Sequence, residues 1–175
     1  MKKVIIFGGT GFIGTSVAKY ISSKGFYPIV IGRTKTNESF KFVKWDGMNA
    51  GEWEGELINA FAIINLVGKS VDCIKTPKNI DEILKSRVDA TLLIGKALRK
   101  ANSPPKIWIQ MSTAHIYGDS ETRINHEDST LGYGLAPFVG KKWEAAFHAS
   151  ALSDTRKVLL RTGFVLDKSG GAFTK

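Results

Sequence analysis

The stretch "VIIFGGTGFIGTSVAKYI", residues 4–21, constrains the fold of this chain more than any other. A short apolar run ends in glycines, and amphipathic patterning of helical period follows at once. Gly8, Gly11 and Gly14 stand in G-x-x-G-x-x-G spacing. A strand that turns sharply into a helix leaves the first helical N–H groups without partners, which makes a seat for a phosphate. A Cβ at Gly8 or Gly11 would obstruct the turn or a ligand's approach, and Gly14 would let helix and sheet pack closely. The context of the glycines, after a strand and before a helix, points to dinucleotide binding rather than to a tight turn alone. Thr10, Phe12 and Ile13, interleaved with these glycines, join them as cofactor-binding candidates.

The rest of the chain fits that opening. Runs rich in Val, Ile and Leu at 3–8, 27–32, 40–45, 60–68, 106–112 and 157–163 read as strands buried on both faces. Helical patterns lie between them, at 12–24, near 53–60, from Thr76 and Pro77 to just before "NSPP", and from about Pro137 to Ser150. Strands alternating with helices specify an α/β fold with a parallel sheet. The expectation is a Rossmann-like, doubly wound sheet of strand order 3-2-1-4-5-6, with residues 1–175 forming one nucleotide-binding domain.

Composition narrows the class. "MKKVIIFGG" has an apolar run too short for a signal peptide or a membrane span, so a cytoplasmic protein with no membrane partner is expected. The single cysteine, Cys73, excludes an internal disulfide, and no His/Cys cluster has zinc-ligand spacing. Twenty-five Lys+Arg against 16 Asp+Glu give a formal charge of +9, which suits anionic ligands such as nucleotides and phosphosugars. The basic residues are scattered, without the aromatic-rich patch of an RNA binder, so nucleic acid is not the expected partner.

The second strand ends in "VIGRTK". Arg33 and Lys35 stand where an acid would hold the ribose 2′-hydroxyl of NAD, so NADP(H) is expected over NAD(H). Alternatively, Arg33 stacks on adenine and does not choose between the cofactors. Asp46 either reaches the adenine amino group or serves the turn before Gly47. "NLVG" ends the fourth strand beside the first, so Leu66, Val67 and Gly68 are expected to line the cleft. Asn65 contacts the ligand or bonds backbone.

Together, "GGTGFIG", "WD", "INLVG", "LKSRVDAT", "IQMSTAHIYG", "WEAA" and "VLLRTGFVLDKSGGA" resemble, in this order, the NAD(P)-dependent epimerase/dehydratase superfamily of extended and atypical short-chain dehydrogenases. The resemblance covers essentially the whole chain, within a subgroup of nucleoside-diphosphate-sugar epimerases. It implies hydride transfer on a sugar nucleotide or another carbonyl compound, and it allows a homo-oligomer. It also implies a Ser or Thr after the fifth strand that bonds the substrate oxygen. Ser112 and Thr113 match that position.

The family further places a Tyr four residues before a Lys on the next helix, where i and i+4 share a face and the ammonium lowers the tyrosine pKa. This chain lacks the pair. One register sets Ala136 before Gly140, and the other sets Phe138 before Lys142. His115, whose imidazole can both take and give a proton, is the substitute acid or base, or else a loop histidine. Tyr117 is a packing or nicotinamide-side contact, and Arg161 faces a substrate diphosphate or an internal carboxylate. The resemblance also implies a substrate-binding region beyond "RTGFVLDKSGGAFTK", so the chain is expected to be the nucleotide half of an enzyme. The competing reading is a non-catalytic dinucleotide-binding sensor or scaffold, with RNA association allowed by the basic charge.

Overall fold

The computed structural model describes residues 1–119, 122–167 and 170–171. Parts of the C-terminal stretch that carries the resemblance, Lys168, Ser169 and 172–175, lie outside the described residues.

Six parallel strands form one sheet in the order β3-β2-β1-β4-β5-β6. They are β1 (Lys3–Phe7), β2 (Tyr27–Gly32), β3 (Lys41–Lys44), β4 (Ala62–Asn65), β5 (Ile107–Thr113) and β6 (Arg156–Thr162). The helices are α1 (Phe12–Ser23), the one-turn α2 (Trp53–Glu56), α3 (Pro77–Lys100) and α4 (Leu135–Ser150). A 3-10 turn, Ala114–Tyr117, follows β5 directly, and a two-residue hairpin pairs β7 (Leu166–Asp167) with β8 (Gly170–Gly171). The expected fold class and strand order are both observed.

Strand alternation divides the core in two. From β1, Val4 and Ile6 pack with Ala18 of α1 and with Val30 and Ile64, whereas Ile5 and Phe7 face the other layer. There they meet Ile94 of α3 and an aromatic cluster in which Phe7 lies edge-on to Trp45 and Trp53, at centroid distances of 5.3 and 5.4 Å. Each fully buried side chain of this kind contributes about 1.5–3 kcal/mol, so covering both faces stabilises the sheet far more than strand propensity does. α3 starts as its sequence indicates, with Pro77 in the first turn and Thr76 Oγ1 accepting from Asn79 N.

Several boundaries differ from expectation: the helix expected near 53–60 is only the turn Trp53–Glu56, and two others have a visible local cause. β4 ends at Asn65, because Asn65 Oδ1 accepts from Val67 N and turns the chain off the ladder. α4 begins at Leu135 rather than Pro137, with Gly134 before it at φ 99°. Proline is tolerated in the first turn, where its missing N–H is not needed, so it does not mark the boundary. β6 carries the last ladder of the sheet among the described residues, and Leu160 on it is exposed.

Candidate functional site

The carboxyl ends of β1, β2, β4 and β5 face one side of the molecule. Between β1 and α1 the chain makes a tight turn in which Gly8 has φ 74°, a conformation that suits glycine. Gly8 also abuts the loop after β4, since a Cβ there would lie 3.0 Å from Leu66 C and 3.2 Å from Val67 N. At Gly14 a Cβ would come within 2.5 Å of both Gly8 O and Gly9 Cα, so α1 touches its own entry turn at that point. Gly11 differs, because a Cβ there would meet only Gly8 O, at 3.4 Å. The turn therefore does not need a glycine at position 11, and the space above it is left clear.

α1 has no side chain capping its N-terminus. Thr15 N donates to Gly11 O, the first bond of the helix, which leaves the N–H groups of Phe12, Ile13 and Gly14 outside the intrahelical ladder. Uncapped donors at the positive end of a helix favour an oxyanion. Thr10 packs over Gly32 at the end of β2, and Arg33 and Lys35 follow, both exposed and with no ion pair among the described residues. Asp46 is occupied locally. Its Oδ1 accepts from Met48 N and Asn49 N, its Oδ2 accepts from Asn49 Nδ2, and these bonds hold the carboxyl below its usual pKa.

Asn65 is fully buried and makes no surface for a ligand. Its Nδ2 donates to Thr91 Oγ1 at 3.1 Å and to Gln110 Oε1 at 3.0 Å, joining β4 to α3 and β5. Trp108 Nε1 donates to the same Gln110 oxygen and Trp143 Nε1 to the same Thr91 hydroxyl. One amide thus fixes the path of the Leu66–Gly68 loop relative to both helices of that face.

A second buried network lies at the ends of β5 and β6, where Ser112 and Arg161 are neighbours in register. Glu144 of α4 accepts from both. Ser112 Oγ donates to Oε1 at 2.6 Å, and Arg161 donates from Nε to Oε1 and from Nη2 to Oε2, each at 2.9 Å. Burial pushes the Glu144 carboxyl up, but the bonds from Arg161 and Ser112 and the Arg161 charge outweigh it and hold the group below its usual range. Arg161 Nη1 also donates to Tyr117 Oη at 2.7 Å and to Glu127 O at 2.8 Å. Of the alternatives for Arg161, the internal carboxylate is the one observed.

These contacts separate the two hydroxyl candidates. Ser112 is 3% exposed and committed to Glu144. Thr113, on the opposite side of the strand, is half-buried, and its Oγ1 accepts from His115 N. His115 is exposed, with its ring edge-on to Phe164 at 5.4 Å. A cavity of about 970 Å³ opens nearby, lined by Tyr117, Asn125, Glu127 and Arg161 among others.

On α4, Phe138 and Lys142 share an exposed face, with the ammonium 6.0 Å from the ring centroid. Gly140 is buried against Ile116, and Ala136 is exposed. Lys141 turns back to Gly132 O, 2.8 Å away, and lies over Tyr133, 5.5 Å from the ring centroid. Neither register presents a proton donor at its first position.

Sequence reasoning did not single out Gly9 or the buried role of Glu144. The first is packed against Ile6 O, where a Cβ would fall at 2.8 Å. Only the "WE" pair marked the second, and its partners are 17 and 32 residues away in sequence. Among the described residues no His, Cys, Asp and Glu group could hold a metal, and no helix is long and apolar enough to cross a membrane.

The profile of the NAD dependent epimerase/dehydratase family matches residues 4–162. The human epimerase family protein SDR39U1 is 32% identical over 174 residues, which are 97% of this chain and 57% of that protein. Its crystal structure with NADPH superposes with a TM-score of 0.85. YfhF of Bacillus subtilis is 30% identical over 167 residues, covering 93% of this chain and 55% of that one. A nucleoside-diphosphate sugar epimerase from Corynebacterium glutamicum aligns at 25% identity and a TM-score of 0.80, over 99% of this chain and 36% of that one. The chain thus spans little more than half the length of its curated relatives. With its sheet order and nearly all of its residues inside the match, it belongs to the NAD dependent epimerase/dehydratase family.

Proposed function

We propose that this chain is the NADP(H)-binding half of an oxidoreductase or epimerase that acts on a carbonyl group, with a sugar nucleotide as the favoured substrate class. The uncapped N-terminus of α1, set under the Gly8–Gly14 turn with unpaired Arg33 and Lys35 at the end of β2, carries this reading. The diphosphate would take the N–H groups of Phe12, Ile13 and Gly14, and the space above Gly11 admits it. Arg33 and Lys35 would receive a 2′-phosphate. Leu66, Val67 and Gly68 would flank the cofactor from the β4 side, and Asp46 would bound the adenine end through the turn that it braces. SDR39U1 was crystallised with NADPH, which supports the cofactor choice. The sugar-nucleotide assignment takes its support from the Corynebacterium relative.

When bound, nicotinamide accepts or returns a hydride. The chain's own part is to orient the carbonyl and to move the accompanying proton. Thr113 Oγ1 would bond the substrate oxygen, a choice supported by the burial of Ser112 on Glu144. His115, exposed two residues further on, is the group that would take or give the proton. The cavity beside Tyr117 and Arg161 runs along Leu159–Thr162 of β6 and reaches Ala114, and would leave room for a substrate there.

Fluorescence titration of the purified chain tests the reading. NADPH should bind at least tenfold more tightly than NADH, and Arg33→Asp should abolish that preference. Equal affinities in the unaltered chain, or no change in Arg33→Asp, would remove the basis for NADP(H). Oxidation of bound NADPH by a panel of carbonyl compounds separates an enzyme from a sensor.

A further inference from the structure

Basic residues that are scattered along the sequence gather in the fold at the end of the sheet opposite the cleft. Parallel strands all begin on that side, and the helices that connect them end there. Lys3 opens β1, Lys106 precedes β5, Arg156 and Lys157 open β6, and Arg99 and Lys100 end α3. Main-chain bonds of 2.8–2.9 Å join these positions into one rim: Tyr27 N donates to Lys2 O, Phe61 N to Lys3 O and Arg156 N to Lys106 O. Since β1, β4, β5 and β6 are neighbours in that order, the rim runs about 14 Å from Lys3 to Arg156 at about 4.8 Å per strand.

None of these cations pairs with a carboxylate among the described residues, where every ion pair lies elsewhere. Lys41 with Glu56, at the start of β3, bounds the rim on one side, and Asp154, before β6, accepts from Ser153 Oγ. The contacts that the rim cations do make are to neutral groups. Lys3 Nζ donates to Ile58 O, Arg99 Nη1 donates to Ser150 O, and Lys2 Nζ lies 4.4 Å from the centroid of the Phe61 ring.

Like charges gathered in this way repel one another and work against the compact state. The helix dipole accounts for Arg99 and Lys100, which sit in the last turn of α3, but not for cations that open strands. The cofactor cleft does not account for them either. The five residues of β1 put about 16 Å between the two ends of the sheet, twice the Debye length of about 8 Å at physiological ionic strength. An external polyanion would supply the missing counter-charge. Tyr27, in register with Lys3 and 42% exposed, adds an aromatic surface beside the cations. Cations along a backbone together with a stacking ring suit an unpaired nucleic-acid strand. A bilayer would need several apolar side chains to insert. Met1 and Ile58 are exposed near the rim, but Val71, Ile74, Ile124 and Tyr133 lie in the loops after β4 and β5, at the cleft end.

We propose that the rim formed by Lys2, Lys3, Lys106, Arg156 and Lys157 binds the phosphate backbone of a single-stranded nucleic acid, with Tyr27 as a stacking surface, independently of the cofactor cleft.

The test is fluorescence anisotropy of a labelled oligouridylate, with NADPH titrated separately. The unaltered chain should bind the oligonucleotide, and log K should fall with log salt at a slope of about −0.7 per phosphate held, about −2 to −3 in all. Lys106→Glu combined with Arg156→Glu should weaken this binding at least about tenfold, whereas Lys78→Glu with Lys142→Glu, an equal change of net charge at the cleft end, should not. Tyr27→Ala should weaken it about fivefold or more, and parity would overturn the assignment to a stacked strand. A chain that binds oligouridylate through this rim but does not bind NADPH would sustain the inference while sinking the cofactor reading. No binding at low salt, equal losses in the two double variants, or displacement of the oligonucleotide by NADPH would overturn it. So would binding to vesicles containing phosphatidylserine with none to oligouridylate, which would give the rim to a membrane surface. If the double reversal does not fold, Lys106→Gln with Arg156→Gln takes its place. A loss of at least about threefold is then expected, and parity overturns the proposal.

Discussion

Arg161 grips Glu144 with two parallel bonds of 2.9 Å, and the residue beside Arg161 on the next strand, Ser112, closes on the same carboxylate at 2.6 Å. The side chains of Glu144 and Arg161 are only 10% and 20% exposed, so this pair is screened far less than a surface ion pair. Removing one partner leaves the other buried and uncompensated. Arg161→Ala should therefore cost about 3 kcal/mol in a urea melt, and an effect under about 1 kcal/mol would mean that the pair contributes no more than a surface bridge.

The same pair sets a pH dependence. Its carboxyl is held below the ordinary glutamate value, so the folded state binds this proton less readily than the unfolded chain does. The contribution is fully present above the unfolded pKa and is lost as the pH falls through the lower folded value. The Glu144→Gln chain should consequently lose less stability than the unaltered one between about pH 5 and pH 3. Parallel acid-limb curves for the two proteins would contradict this.

Two glycines of the first turn should separate folding from binding. Gly14→Ala places a methyl 2.5 Å from backbone atoms and should cost about 3 kcal/mol or prevent folding. Gly11→Ala meets only a 3.4 Å contact and should melt near the unaltered chain, yet lose NADPH affinity at least tenfold. A Gly11→Ala chain that bound NADPH normally would show that the space above the turn is not where the diphosphate goes.

Asn65→Ala removes the donor to Thr91 and Gln110 and the acceptor for Val67 N. Orphaning several buried groups should destabilise by about 3 kcal/mol. It should also weaken NADPH binding although Asn65 touches no ligand, because the Gly68 loop loses its anchor. A destabilised chain with unaltered affinity would detach the loop's position from this amide.

Ser112 and Thr113 should part in opposite ways. Ser112→Ala withdraws a bond from a buried carboxylate and should lower stability by about 2 kcal/mol. Thr113→Val should leave the fold close to intact, while turnover of a carbonyl substrate falls by about 100-fold or more. If Ser112→Ala were the variant that lost turnover at unchanged stability, the assignment of the two hydroxyls would have to be exchanged.

The fold was legible because its signals are local. "KVIIFG", "YPIVIG" and "AFAIINLVG" carry the apolar runs of strands covered on both sides, and a glycine loop entering a helix occurs in few other settings. The networks were not legible, because their members meet only through the sheet. Asn65 finds Gln110 across 45 residues, and Ser112 finds Glu144 across 32. Nothing in the sequence around Ser112 distinguishes a serine that faces the cleft from one turned into α4, and only the alternation along β5 in the folded sheet does so. The start of α4 departs from expectation for a local reason, since Pro137 looks like a boundary but occupies a first-turn position where proline is accepted.

The outer side of β6 has a consequence for handling the protein. Among the described residues no strand pairs with that side, and Leu160 is exposed on it, with Phe164, Val165 and Leu166 just beyond. A row of open amides next to apolar side chains is a template for another strand. Purified alone, the 175-residue chain is therefore expected to self-associate as its concentration rises, so binding constants should be measured dilute, with sedimentation alongside. A charged residue in place of Leu160 is the simplest way to keep it monomeric.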